Sequence, residues 1–197
     1  MSLDPDKAQQ FLTTLATAPD RDSAREMAER ALNFLIRQLE ELRGLANGYP
    51  RNPISADVWM AGKALAEACD VLTDVFSRWN LQREEELASR LAVGMACQVM
   101  GHYPEEIFPR VLRNSKSHEA IGEVDQAIGG YEAIVLDFGA LGLEGLLDEE
   151  MPLEESSRAI LAAVHEACKR LTELTANGRA EVRELKGKLE HRLQEGP

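Results

Sequence analysis

Apolar residues recur every three or four positions along most of the chain, which is the spacing that places them on one face of an α-helix. The clearest run contains Ala28, Leu32, Leu35, Leu39 and Leu42. Similar runs span residues 58–79 and 161–171. No long segment shows the period of two that is typical of strands. The sequence therefore predicts an all-α fold, an antiparallel up-and-down bundle of about five to six helices.

Capping residues predict where the first helices begin. A first helix is predicted at about Pro5–Thr17, with Asp4 as its N-cap and proline at its first position. Ser23 opens a capping box and predicts the start of the second helix, and Ser55 is placed to cap the third. Asn80 is expected to open the fourth, which has three glutamates in its first turn.

The second half of the chain has weaker boundaries. A short amphipathic piece is predicted at Glu105–Arg113, and a fifth main helix is predicted to start near Ser117. Because glycine disfavours helix, we expect a kink or break at Gly129–Gly130. Residues 139–147 fit either a helix or an apolar connector. The C-terminal residues fit one long helix, or a pair broken at Asn177–Gly178.

Charge is distributed unevenly along the chain. Residues 117–157 contain eleven Asp and Glu and neither Lys nor Arg, which leaves 23 of the 34 acids against 22 bases elsewhere. The formal net charge of −12 comes almost entirely from this segment. A field of one sign attracts basic partners and repels phosphate. We assign this acidic, glycine-rich segment to a bundle core at residues 1–157, followed in the same domain by a C-terminal helix at residues 158–197.

The compartment predicted from the sequence is the cytoplasm. Cys69, Cys97 and Cys168 lie in separate apolar helical contexts, which suits small core residues in a reducing environment. The longest uncharged run, Leu91–Pro104, is too short to span a bilayer. We therefore expect neither membrane association nor a secretory signal.

Metal and nucleotide chemistry have little support in the spacing of the polar residues. There is no Glu-x-x-His, His-x-x-x-His or Cys-x-x-Cys, so we expect no metal and no cofactor. Glu67-Ala-Cys-Asp70 resembles the second half of the motif of MazG-type nucleotide pyrophosphohydrolases, which implies Mg²⁺-dependent hydrolysis. The first half is absent, because Glu40-Glu41 is followed by Gly44. Glu26 and Glu29 could substitute for it only with a longer spacer than that family uses. Acidic pairs at this spacing are no more frequent here than chance predicts.

A second resemblance concerns RNA cleavage. Arg113-Asn-Ser-Lys-Ser-His118 resembles the Arg-x(4–6)-His element of HEPN-type helical ribonucleases. This resemblance implies that Arg113 stabilises phosphate charge and that His118 acts as acid and base. The acidic segment begins beside His118 and would repel RNA, so we expect no nucleic-acid binding. The residues between the two, Asn114–Ser117, are instead predicted to form a capped loop.

The function predicted from these features is a non-enzymatic, adaptor-like interaction or regulatory protein. The acidic segment either is a solvated face or binds a basic protein or peptide, for which the candidate residues are Asp148, Glu149, Glu150, Glu154 and Glu155. A narrow apolar stripe predicts a homodimer through a coiled-coil contact, and it contains Val182, Leu185 and Leu189. The alternative is that basic residues of the C-terminal region pair with the acidic segment of the same chain. The enzymatic alternatives are the two resemblances given above.

Overall fold

The computed structural model describes residues 3–18, 20–47, 53–101, 103–148, 152–175 and 179–194. These residues form eight α-helices and one short 3-10 helix, and they contain no strand, which confirms the all-α prediction. The helices outnumber the predicted five to six. They are α1 (Pro5–Ala16), α2 (Arg21–Leu45), α3 (Ala56–Arg78), α4 (Gln82–Met100), α5 (Pro104–Ala120), α6 (Val124–Ala140), the 3-10 helix (Leu143–Leu147), α7 (Glu155–Leu174) and α8 (Ala180–Gln194).

The chain divides into two compact units, Met1–Tyr103 and Pro104–Pro197. The first unit contains α1 to α4, and the second contains α5 to α8 together with the 3-10 helix. Residue 157, where the predicted bundle core ends and the C-terminal helix of the same domain begins, lies in the first turn of α7 within the second unit. The acidic segment and the C-terminal helices therefore belong to one unit.

Side-chain caps set the helix starts of the first unit. Asp4 accepts a hydrogen bond from the Lys7 backbone at 2.9 Å, as predicted. The second helix begins at Arg21 rather than Ser23, because Asp20 is its N-cap and accepts from the Ser23 backbone at 2.8 Å. This hydrogen bond lowers the pKa of Asp20.

The start of the fourth helix also differs from the prediction. Asn80 has a φ of 53° and lies in the turn before α4, where Leu81 takes the N-cap position. Asparagine tolerates this left-handed conformation better than most residues, which explains its place in the turn. The helix ends at Met100, and Gly101 occupies its C-cap position.

The core of the first unit follows the predicted apolar spacing. Every residue of the α2 run is buried, and α3 contributes Leu65, Ala68 and Leu72 to the same core. The ends of the α3 run at Val58 and Trp79 are only half-buried. The periodicity therefore identified the buried face and overestimated how far it extends.

Two helices of the second unit differ from their predicted bounds. Residues 105–120 continue in one helix, and the exposed Pro109 is accommodated on its solvent side. Ser117 lies in the last turn of α5 and does not start a new helix. Gly122, with a φ of 83°, ends α5, and the Glu123 backbone N–H donates to the His118 carbonyl at 2.9 Å. The predicted capped loop between Arg113 and His118 is wrong, because these residues are helical.

The predicted break at Gly129–Gly130 is also wrong, because α6 runs through both glycines. A Cβ atom on Gly130 would lie 2.1 Å from the Ser115 hydroxyl oxygen of α5, so glycine permits the close approach of these helices. After α6, Gly142 adopts a φ of 67° and the 3-10 helix follows. Residues 139–147 are thus the end of α6 and a structured connector.

The C-terminal residues form two helices. Helix α7 ends at Leu174, followed by an extended Thr175, while Asn177 and Gly178 lie outside the described residues. Helix α8 packs against α7 and the 3-10 helix. Its buried Arg192 donates from Nε to the Leu146 carbonyl oxygen at 3.2 Å. The core of the unit includes Phe108, Tyr131, Ile134, Phe138, Leu161, Val164, Cys168, Leu171, Val182 and Leu189.

Candidate functional site

Two acids in the first part of the acidic segment, Glu119 and Glu132, are neutralised within the second unit, whereas Asp125 and Asp137 are exposed. Glu119 accepts hydrogen bonds from the Arg170 guanidinium of α7 and, at 3.1 Å, from the Tyr131 hydroxyl. Glu132 of α6 lies 3.5 Å from Arg179. These ion pairs support the alternative in which C-terminal bases match acids of the same chain.

Further ionic contacts join α5 to α7. The Lys116 ammonium lies 2.9 Å from the Glu166 carboxylate and lowers its pKa by hydrogen bonding. Burial raises the pKa of the neighbouring Tyr131 to about 12, and the negative charges of Glu166 and Glu173 add to this effect. The side chains therefore form a polar layer that fixes α5 against α7.

The described acids in the second part of the acidic segment are exposed. We name residues 144–155 the acidic connector, because they run from the 3-10 helix to the first residue of α7 and contain six acids and no base. Glu144, Asp148, Glu154 and Glu155 are exposed. Glu154 is the N-cap of α7 without a side-chain capping bond, and Glu155 is in the first turn. The two remaining predicted binding residues, Glu149 and Glu150, lie outside the described residues.

An apolar groove of about 360 Å³ opens between α6, α7 and α8. Its apolar lining consists of Val135, Leu136, Leu171, Val182 and Leu185. Leu171 and Val182 are buried, whereas Leu136 is 65% exposed, more than any other large apolar side chain in the described part of the chain. Sequence analysis missed this groove. The available signal was the position of Leu136, an apolar residue that lies off the buried face of its helix.

Three charged residues surround the groove. The ion pair between Glu132 and Arg179 crosses from α6 to the residue just before α8, and Glu181 follows in the first turn of α8. The Arg179 and Glu132 side chains are 71% and 42% exposed. Exposed pairs of this kind contribute at most about 1 kcal/mol, so the contact can open at little cost.

Most of the predicted dimer stripe is buried by contacts within the second unit of a single chain. Val182 and Leu189 are buried within the single chain, and Leu185 is half-buried at the groove. His165 of α7 lies 3.4 Å from Glu190 on the same helix as the stripe. A dimer formed through this stripe would require α8 to leave these contacts, and the dimer stays a prediction.

The carboxylates suggested for nucleotide hydrolysis lie on different helices. Glu26 pairs with Arg30 of its own helix at 2.6 Å, and Glu29 lines a separate shallow groove between α2 and α4. Glu67, on α3, is exposed and lies 4.0 Å from Lys63, while Asp70 is half-buried one turn later. Within the described ranges, no three Asp, Glu, His or Cys side chains are grouped as a metal site requires.

The residues suggested for RNA cleavage are close along one helix. Arg113 and His118 lie in the C-terminal half of α5, and His118 Nδ1 is 2.9 Å from the Glu123 carboxylate. The His118 side chain is only 13% exposed. Its contact with Glu123, the N-cap residue of α6, is a structural explanation for this histidine.

The cysteines differ in environment. Cys69 and Cys168 are buried as predicted, whereas Cys97 is exposed on α4, which corrects the expectation that all three belong to the core. Burial raises the pKa of Cys168 to about 11. No helix of the described residues has both the length and the apolar character needed to cross a membrane.

Comparisons with protein families, characterised proteins and solved structures find no match for this chain. The second unit presents two surfaces with distinct chemistry, the exposed charge of the acidic connector and the exposed apolar surface of the groove.

Proposed function

We propose that this protein is a non-enzymatic, adaptor-like interaction protein that binds a basic protein partner through its acidic connector. The observation that supports the proposal is the exposure of three connector acids that no described base neutralises. Glu119 and Glu132 are matched by Arg170 and Arg179. Glu144, Glu154 and Glu155 are exposed and form no ion pair with any described residue.

Electrostatic complementarity of this kind favours a partner with clustered Lys and Arg. Exposed charges contribute more to the rate of association and to specificity than to affinity. We therefore expect a fast, salt-sensitive association. The position of Glu154 and Glu155 at the start of α7 has a local benefit as well, because acids are favourable near a helix N-terminus. The proposal requires that the charges of Glu154 and Glu155 also contribute to binding of the partner.

We also propose an antiparallel arrangement of neighbouring helices and a cytoplasmic location. The short connections of three residues between α3 and α4, and between α5 and α6, favour antiparallel neighbours within each unit. A reduced, buried Cys168 and Cys69 suit a cytoplasmic protein.

Affinity capture tests the proposal. The chain is immobilised, its partner is identified by mass spectrometry, and the purified partner is titrated at several salt concentrations. The triple variant Glu144→Gln, Glu154→Gln and Glu155→Gln should bind more weakly than wild type and show a smaller dependence on salt. The expected reason is the loss of three exposed negative charges from the acidic connector.

A matched control removes the same charge from the other unit. Asp22→Asn, Glu40→Gln and Asp57→Asn change three exposed acids, of which Asp22 and Asp57 also lie in first helical turns. The control should bind as wild type does. Equal affinity of the connector variant and wild type, or turnover of nucleotides or RNA lost in Glu67→Gln or His118→Ala, would overturn the proposal.

A further inference from the structure

The apolar groove between α6, α7 and α8 is a second surface with its own chemistry. We infer that it is a docking site for an amphipathic, basic helical segment of a partner protein. This inference does not depend on the acidic connector, because it uses different residues and a different kind of contact.

The size of the groove sets what it can hold. Along α8, its lining extends from Glu181 to Leu185, which corresponds to about 6 Å of helix. This length accommodates apolar side chains one helical turn apart, the spacing with which an amphipathic helix inserts its anchors. Buried Leu171 and Val182 form the floor, and exposed Leu136 forms one wall.

The outer surface of α6 allows a helix to approach this groove. Beside Leu136, the exposed positions of α6 include Gly129, Ala133 and Ala140. A Cβ atom on Gly129 would have no neighbour within 4 Å, so this surface is open. Small side chains let a second helix come close while its apolar residues reach past Leu136 into the groove.

Charge complementarity determines the sign of the partner. The second unit has 19 acids and 11 Lys and Arg. At the groove itself, Glu132 and Glu181 oppose the single Arg179. A helix with Lys or Arg flanking its apolar face can pair with Glu181, and it can pair with Glu132 once the exposed Glu132–Arg179 contact opens. An acidic helix would meet two like charges in a unit that is already negative.

The test uses the full chain and a defined probe. The probe is a fluorescein-labelled peptide of about fifteen residues, with leucines at i, i+3, i+4 and i+7 and lysines on the opposite face. Fluorescence anisotropy measures its affinity, and a scrambled peptide of the same composition is the comparison. The ordered peptide should bind the chain at least about tenfold more tightly than the scrambled one.

The variant Leu136→Glu distinguishes docking of apolar side chains in the groove from nonspecific electrostatic attraction. The change adds a negative charge, so binding driven by charge alone would strengthen for a cationic peptide. Docking in the groove should instead weaken about tenfold, because an exposed apolar anchor is lost. Met60→Glu is the matched control, since Met60 is 55% exposed in the first unit and receives the same charge. This control should leave the affinity for the ordered peptide unchanged.

Three other outcomes of these measurements would overturn the inference. Binding of both peptides with equal affinity, or tighter binding by Leu136→Glu, would overturn the groove as the docking site. Self-association of the chain that is lost in Leu136→Glu would assign the groove to a second copy and also overturn the inference. The connector variant should keep its affinity for the ordered peptide within about threefold, since only long-range attraction is reduced. If the capture experiment shows that partner binding does not depend on the acidic connector, the peptide measurements on the groove are unaffected. The two proposals can therefore be refuted independently.

Discussion

Two adjacent glycines of α6 are predicted to respond to alanine substitution in opposite ways. Gly130 faces α5, where an added Cβ would lie 2.1 Å from the Ser115 hydroxyl oxygen and 3.3 Å from its Cβ. Gly129 is exposed and would meet nothing within 4 Å. The same chemical change therefore tests packing at one position and helix propensity at the next.

The magnitudes follow from the competing effects. Alanine is favoured over glycine within a helix by about 1 kcal/mol, and Gly129→Ala should gain up to this amount. Gly130→Ala must displace the Ser115 side chain, whose hydroxyl donates to the Val111 carbonyl at 2.8 Å in a buried site. Overpacking costs about 1–3 kcal/mol, and a buried hydroxyl without a partner costs a similar amount. We therefore expect Gly130→Ala to destabilise the second unit by about 1–3 kcal/mol, despite its gain in propensity.

Urea unfolding at constant temperature, followed by circular dichroism, measures both variants. Ser115→Ala provides the decisive comparison, because it removes the oxygen that the new Cβ would strike. In the double variant, the remaining neighbour is the Cβ at 3.3 Å, and most of the destabilisation should disappear. Gly130→Ala that is as stable as Gly129→Ala, or a double variant without recovery, would refute the close approach of α5 and α6.

Three further predictions concern ionisation and reactivity. The pKa of Tyr131 is raised to about 12 in the folded protein, so between pH 10 and 12 the phenol loses its proton in the unfolded state before it does so in the folded state. The free energy of unfolding should therefore fall over this pH range by up to about 2 kcal/mol. In urea unfolding, Tyr131→Phe should show a smaller decrease over the same range. Because the pKa of Glu166 is lowered, stability should fall with acidification below pH 4.5, and Lys116→Met should reduce that loss. A thiol reagent at about pH 8 should modify one cysteine quickly. Cys97→Ser should abolish this fast phase, while buried Cys168 reacts only on unfolding.

The buried faces of the helices could be predicted from the sequence, and several helix ends could not. Spacing of three and four identifies the buried run of α2 because burial repeats with the helix turn. The α5–α6 boundary was misplaced because Pro109 and Gly129–Gly130 were given more weight than Gly122. Local propensity treats all of them as breakers, whereas only Gly122 adopts a positive φ. The other positions are kept in helix by packing between α5, α6 and α7.

The candidate site shows a similar division. The surplus of acids is visible in the sequence, but the partners that neutralise Glu119 and Glu132 lie about fifty residues away, at Arg170 and Arg179. Such pairs depend on tertiary structure, and sequence spacing does not encode them. The groove was missed for the same reason, since its lining comes from three helices and only Leu136 departs from its local pattern.

The predicted dimer stripe marks a further limit of pattern analysis, because periodicity identifies buried residues without identifying the chain that buries them. Val182 and Leu189 are already buried in one chain, so a dimer through this stripe requires α8 to exchange between copies. Exchange should be slow, since α8 must first leave its core. Light scattering immediately after dilution should then give twice 21.8 kDa and relax over time. A constant mass of 21.8 kDa at every concentration would contradict the dimer. If monomer and dimer re-equilibrate within the mixing time, this would contradict the exchange of α8 between copies. The dimer interface would then lie on another surface.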